Sequence, residues 1–136
     1  KSRNEALASF MRRIGVCEER GSGVDKVVFE TEFYQLPAPL FEIVEGSTRA
    51  TLFAHRSLSR MDRKDRVRST YLHACLKYVQ RDYLTNSSLR DRFGIQKENS
   101  ATVSRFIKEA VEDKAIKLVD PESESRKHAR YVPIWA

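Results

Sequence analysis

Apolar side chains recur along this chain at helical and strand spacings that alternate from segment to segment. Leu7, Phe10, Met11 and Ile14 lie three or four apart, the spacing that gathers residues on one helix face. They predict an amphipathic helix over 3–14, with Asn4 as candidate cap and Gly15 as stop. Gly21, Ser22 and Gly23 open a second helix carrying Val24, Val27, Val28 and Phe33. LPAP at 36–39 should break it, because proline lacks the amide and clashes with the preceding turn. FEIVEG and TRATLFA then read as two strands joined by a short turn at Gly46 and Ser47. A polar, charged stretch at about 55–62 predicts a linker. Asp62 can cap the next helix, with Asp65 in its first turn, and Val67, Tyr71, Ala74, Cys75 and Tyr78 form the expected buried stripe.

The last third repeats the logic at shorter range. Asn86 or Ser87 can cap a short helix that faces Leu89 and Phe93 inward and stops at Gly94. From about Lys97 to Lys114, Val103, Phe106, Ile107, Ala110 and Val111 share one face, leaving Ala101, Ser104, Arg105 and Lys108 on another. Ile116 to Val119 alternates as a strand, Pro121 and SES mark a loop, and Tyr131, Val132, Ile134 and Trp135 provide the return strand, Trp135 packing it onto the helices. Helix, helix, turn, helix, strand, basic loop, strand is the order of a winged helix-turn-helix. The expected fold class is α+β: a truncated helix-helix-hairpin module over 1–57, then a winged helix over 58–136. Ala115 stands where winged helices of this kind usually have glycine before the wing strand, which bears on the turn there.

Charge sharpens the picture. Residues 1–60 carry 9 Lys+Arg against 8 Asp+Glu and residues 61–136 carry 16 against 11, so +5 of the net +6 lies in the second part. That is where an electrostatic footprint for phosphate would be expected. In a helix-turn-helix the second helix enters the major groove with its N-terminal residues nearest the bases. Lys97, Asn99, Ser100, Thr102, Ser104, Arg105 and Lys108 are therefore the candidate DNA contacts, joined from the wing by Arg126, Lys127 and Arg130, with His128 close by. Asn99 and Arg105 have the geometry for bidentate contact to adenine and guanine, although Asn99 also suits a plain N-cap. Glu98, Glu109 and Glu112 share that helix and weaken its field. Arg60, Arg63, Lys64, Arg66 and Arg68 crowd the start of the preceding helix, either for phosphate or as a solvated charged end. Tyr71 and Tyr78 suit a core by their spacing better than they suit base stacking.

No catalytic constellation emerges. Cys17 and Cys75 sit apart without a CxxC or Cys/His grouping, His55, His73 and His128 are scattered, and neither a metal set nor a Walker motif occurs. No cofactor and no enzymatic activity are expected. No apolar run approaches a membrane span and the opening KSRNEALASF is not a secretory signal. The expected setting is cytoplasmic, with reduced thiols and no membrane partner.

The run RNEALASFMRRIGVCEERGSGVDKVV, followed by LPAPLFEIVEGSTRATLF, resembles the C-terminal module of bacterial and archaeal transcriptional regulators labelled RecG-helicase-like, which carry a Schlafen-like, divergent-AAA domain at their N-terminus. The resemblance covers about residues 3–55. It rests on Arg3-Asn4 with Leu7-Ala8, Gly15, the turn Glu18-Glu19-Arg20-Gly21-Ser22-Gly23, Pro37, Pro39 and the hairpin. It implies a C-terminal piece of a longer protein that ends, as such proteins commonly do, in a winged helix. The module also looks like the last part of a GHKL-type ATPase fold, which would make Arg20, Gly21, Ser22, Gly23 and Lys26 a candidate phosphate contact. A glycine turn that merely holds helix to sheet explains the same residues. The acidic magnesium-binding helix and Asp-x-Gly motif of that fold are not found in this chain.

Two functions follow as expectations. The first is a DNA-binding module of a prokaryotic transcriptional regulator, with double-stranded DNA as partner and a homodimer on paired half-sites as a compatible assembly. The alternative is a protein-interaction or dimerisation module of a larger regulator, whether or not that regulator is ATP-dependent.

Overall fold

The computed structural model describes residues 4–17, 23–122 and 128–136. The first helix, α1 (Glu5–Arg13), is capped by Asn4, whose Oδ1 accepts from the Leu7 amide at 2.9 Å. It ends at Gly15, where φ is +72° and the Val16 amide reaches back to the Met11 carbonyl at 2.9 Å. Glycine takes that left-handed closure without a Cβ clash. The second helix, α2 (Gly23–Phe33), closes the same way at Gln35, with φ +53° and the Leu36 amide on the Thr31 carbonyl at 2.8 Å. The helix has therefore turned out before the first proline. Pro37, Ala38 and Pro39 do something else: they run extended and buried against the next helix.

Strands β1 (Leu40–Val44) and β2 (Ser47–Thr51) pair antiparallel with Val44 opposite Ser47. The turn is Glu45–Gly46, one residue earlier than the sequence suggests, and Ser47 already belongs to β2. Both turn residues have positive φ, +50° and +74°, the backbone twist that two-residue hairpins need. Neither α1 nor this hairpin buries a residue.

Helix α3 (Arg63–Val79) starts on Asp62, whose Oδ1 accepts from the Asp65 amide at 2.7 Å. Its buried positions are Asp65, Ser69, Thr70, His73 and Ala74. Of the expected stripe only Ala74 is fully buried; Val67, Tyr71 and Cys75 are half-buried and Tyr78 is exposed. The reason is that α3 is covered on two sides. One side meets the later helices, and the other meets α2 and the LPAP segment, where polar groups satisfy buried backbone. Ser69 Oγ accepts from the Ala38 amide at 3.4 Å and Arg68 Nε donates to the Ala38 carbonyl at 3.2 Å.

Helix α4 (Asn86–Phe93) is capped by Thr85, not by Asn86 or Ser87, through a reciprocal box with Ser88, and ends at Gly94 with φ +62°. Lys97–Asn99 forms a 3-10 turn, so α5 (Ser100–Glu112) begins three residues later than its apolar pattern suggests, and Asn99 makes no side-chain cap. Val103, Phe106, Ile107 and Ala110 are buried, while Val111 is exposed. The helix closes with the Ala115 amide on the Ala110 carbonyl at 2.9 Å, so the left-handed residue is Lys114, at φ +54°, and not Ala115.

Strands β3 (Ile116–Leu118) and β4 (Tyr131–Pro133) pair antiparallel, Leu118 opposite Tyr131. Leu84 bridges the other edge of Tyr131 through two backbone bonds of 3.0 and 2.9 Å. The core beneath is Ala74, Leu84, Leu89, Val103, Ile107, Ala110 and Ile116. Trp135 lies outside it: its Nε1 donates to the Tyr71 hydroxyl at 3.0 Å and its ring meets Tyr78 edge-on at 5.3 Å. Among the described residues, five α-helices and two small antiparallel strand pairs make the fold α+β.

Between α2 and the later helices sits a buried polar cluster. Glu32 Oε2 is 2.9 Å from His73 Nδ1, and Glu32 Oε1 is 2.8 Å from Arg92 Nε. The second contact is close but poorly aligned for a hydrogen bond, so it holds mainly by charge. Arg92 also donates to the Leu36 carbonyl at 2.6 Å.

Candidate nucleic-acid interface

The charges on α5 divide by side. Glu109 takes a two-pronged contact from Arg66 of α3 at 3.2 and 3.3 Å, and Arg66 also donates to the Met61 carbonyl and lies 5.1 Å over the Phe106 ring. Arg63 meets Glu112 at 3.3 Å and Asp113 at 2.8 Å. Arg68 pairs with Asp65, which also holds Arg56 at 2.9 Å. Three members of the cationic cluster around the start of α3 are therefore engaged within the molecule; Arg60 and Lys64 are exposed. Glu109 pairs with Arg66 of α3, whereas Glu112 is exposed and meets both Arg63 of α3 and Lys108 of α5, so its charge stays beside the exposed α5 surface. Glu98 lies in the 3-10 turn.

On another side of α5 is an open cleft of about 790 Å³ between α5, the start of α4 and the residues leading into β4. Arg105, Lys108, His128 and Arg130 line it, and none of the described lining residues is a carboxylate. Ile107, Val111 and Leu118 supply its apolar wall. Arg130 is steadied 4.9 Å over the Tyr83 ring and Arg105 lies 5.7 Å from the Phe106 centroid. Such stacking orders a guanidinium while leaving its donors available. Lys108 has only a 3.9 Å approach to Glu112, both side chains being well exposed.

Of the sequence candidates, Ser104, Arg105, Lys108 and Arg130 come together in this cleft. Lys97 and Asn99 are exposed in the 3-10 turn, Ser100 and Thr102 are half-buried at the start of α5, and none of the four lines the cleft. Arg126 and Lys127 lie outside the described residues. Sequence reasoning missed Thr85, Asn86, Ser87 and Tyr131, and gave His128 only a place near the wing. Asn86 was legible as a polar residue at a helix start, but not its partners: its Nδ2 donates to the Ser100 carbonyl at 3.1 Å and to Ser104 Oγ at 3.0 Å, locking α4 to α5.

The candidate phosphate contact on the second helix is separate. Gly23 opens α2 and Lys26 is exposed on its first turn; Arg20, Gly21 and Ser22 lie outside the described residues. Among the described residues no His/Cys/Asp/Glu group is placed to hold a metal, and no helix is long and apolar enough to cross a membrane.

Three titrations depart from their ordinary ranges. Burial pushes the Cys75 thiol up, and burial likewise pushes up the Tyr71 hydroxyl against the hydrogen bond from Trp135. The Tyr83 amide, bonded at 2.8 Å, and then Lys77 hold the Asp82 carboxyl below its usual range.

The family model described as "Putative ATP-dependent DNA helicase recG C-terminal" matches residues 1–52 of the chain. No curated protein and no solved structure matches.

Proposed function

We propose that residues 58–136 are a winged helix that docks on duplex DNA, as the DNA-binding module of a prokaryotic, cytoplasmic transcriptional regulator. Residues 1–57 are its RecG-like, GHKL-like companion module, and the chain itself carries no enzymatic activity. The observation that carries the reading is the cleft beside α5. It gathers Arg105, Lys108, His128 and Arg130 without a described carboxylate, while Glu109 of α5 is turned away and paired with Arg66 of α3. Lys108 lies one turn beyond Ser104 on α5 and Arg105 stands next to Ser104, so a groove edge along α5 would meet a hydroxyl, a fork and a point charge within about one turn. Arg126 and Lys127, which precede β4 in the sequence, would add further phosphate contacts. The 1–52 match to a helicase-labelled family is compatible with a nucleic-acid setting.

The test is fluorescence-anisotropy titration with pooled duplex DNA over a salt series. Affinity should fall steeply with salt because phosphate contacts release counterions. An Arg105→Ala, Lys108→Ala, Arg130→Ala variant should lose most of that dependence, the slope flattening by roughly one per phosphate contact removed. Absence of binding at low salt would end this reading. The alternative, a protein-interaction or dimerisation module, is favoured by a different observation: the exposed apolar side chains of α1, α2 and the first hairpin.

A further inference from the structure

A continuous chain of polar contacts leads from α2 to the mouth of the cleft. Glu32 of α2 holds His73 Nδ1 at 2.9 Å. The other ring nitrogen, Nε2, lies 3.3 Å from Ser88 Oγ. Ser88 is the return half of the cap on α4: its Oγ accepts from the Thr85 amide at 3.0 Å, and its own amide donates to Thr85 Oγ1 at 3.1 Å. Thr85, Asn86 and Ser87 line the cleft, and Asn86 ties the same turn to α5. The Glu32 and His73 side chains are only 6% and 9% exposed.

Burying charge is a poor way to glue two surfaces, since an apolar pair of similar size often docks as well or better. What the cluster adds is direction. An imidazole held at one nitrogen by a carboxylate has a set ring orientation and presents the other nitrogen to a defined partner. Here that partner is the residue that fixes the first turn of α4.

We propose that Glu32 and His73 are positioning residues for the nucleic-acid interface: through Ser88 and Thr85 they set the start of α4, so that docking of α2 governs how well the cleft binds DNA. This rests on the reading of the cleft as a DNA site. Coupling of this kind needs differential contacts at both ends; Glu32 supplies one and Asn86, with its bonds to α5, the other.

Three variants separate positioning from folding. Glu32→Met with Arg92→Leu removes both charges and leaves an apolar junction. His73→Asn keeps a nitrogen for Glu32 but cannot reach Ser88. His73→Gln places its amide where Nε2 was. Amide exchange at Thr85 and Ser88 by NMR and anisotropy with duplex DNA are read for each, with thermal melts as the folding control. In the charge-free variant and His73→Asn, both amides should exchange faster and affinity should fall roughly five- to tenfold, the lower end of usual coupling. His73→Gln, which reaches Ser88 but gives up Glu32, should recover part of both relative to His73→Asn.

Unchanged exchange in the first two variants overturns the proposal, whatever DNA binding does. Faster exchange with unchanged affinity also overturns it, as does failure of His73→Gln to rescue either readout. If the wild-type chain does not bind DNA, the cleft reading falls, and the exchange data then decide alone whether α2 positions α4. Should the charge-free variant not fold, the Asn and Gln pair decides.

Discussion

Lys114 occupies a backbone conformation that suits glycine. Its φ of +54° closes α5, as Gly15 and Gly94 close α1 and α4. A side chain in the left-handed region brings Cβ close to the carbonyl, at a cost of about 1–2 kcal/mol. Lys114→Gly should therefore raise stability by about 1 kcal/mol, measured by urea denaturation. Gly94→Ala is the mirror test and should lower stability by about 1–2 kcal/mol through conformation alone, since an added Cβ would meet only Gln35 Oε1 at an ordinary 3.7 Å. Titration at Cys75 and Tyr71 makes a second residue-scale prediction. Both groups are pushed up by burial, so the unfolded chain ionises first. The stability they contribute is complete below the unfolded thiol range, about pH 8.5, and is lost as pH rises through the folded values. Urea midpoints should fall on the alkaline side, and Cys75→Ala should delay the onset toward the tyrosine range near pH 10. An unaltered alkaline profile in that variant would leave the thiol no part in the loss.

At the scale of elements, α3 explains both what the sequence displayed and what it concealed. Helix positions, the Gly15 and Gly94 stops, the α5 apolar face and the first hairpin follow from local pattern, because each is set by neighbours a few residues away. The α4 cap did not, since Thr85, Asn86 and Ser87 all suit it; Thr85 takes it through the box with Ser88, while Asn86 donates to Ser100 and Ser104, far beyond the local window. The candidate site was half legible for the same reason. Arg105 and Lys108 were evident as a basic face, but the fate of Glu109 depended on Arg66, 43 residues earlier. Arg66 is thus a strut and Arg105 a surface group, and their variants should behave in opposite ways. Arg66→Ala should cost about 2 kcal/mol, between an exposed and a fully buried ion pair, without changing the salt slope of DNA binding. Arg105→Ala should leave the thermal melt unchanged and flatten the salt slope by about one. A flattened slope from Arg66→Ala would return the arginines of α3 to the list of phosphate contacts.

Over the whole molecule, apolar burial is unevenly shared. The main core lies among α3, α4, α5 and the β3–β4 hairpin, whereas Ile43 is 86% and Phe33 69% exposed, and Phe10 and Leu52 are likewise open. What fastens the first part of the chain, besides the buried Pro37–Pro39 segment, is largely polar: the Glu32 cluster, the LPAP backbone bonds, and Phe53, whose ring lies 5.8 Å from the Arg56 guanidinium and 5.4 Å from that of Arg68. Contiguous apolar surface on a water-exposed protein marks a place where another surface is accommodated. Phe29 and Phe33 of α2 and Tyr34 just after it form such a ridge, with ring centroids 6.3 and 5.1 Å apart. A second copy of the chain would need roughly 800 Å² of this surface on each partner for a stable dimer. Sedimentation velocity over rising concentration should accordingly show self-association. Phe33→Ser with Ile43→Thr should shift the distribution to monomer, and Arg105→Ala with Lys108→Ala should not. A wild-type chain that stays monomeric throughout would remove the homodimer on paired half-sites and leave the proposed DNA-binding module to act singly.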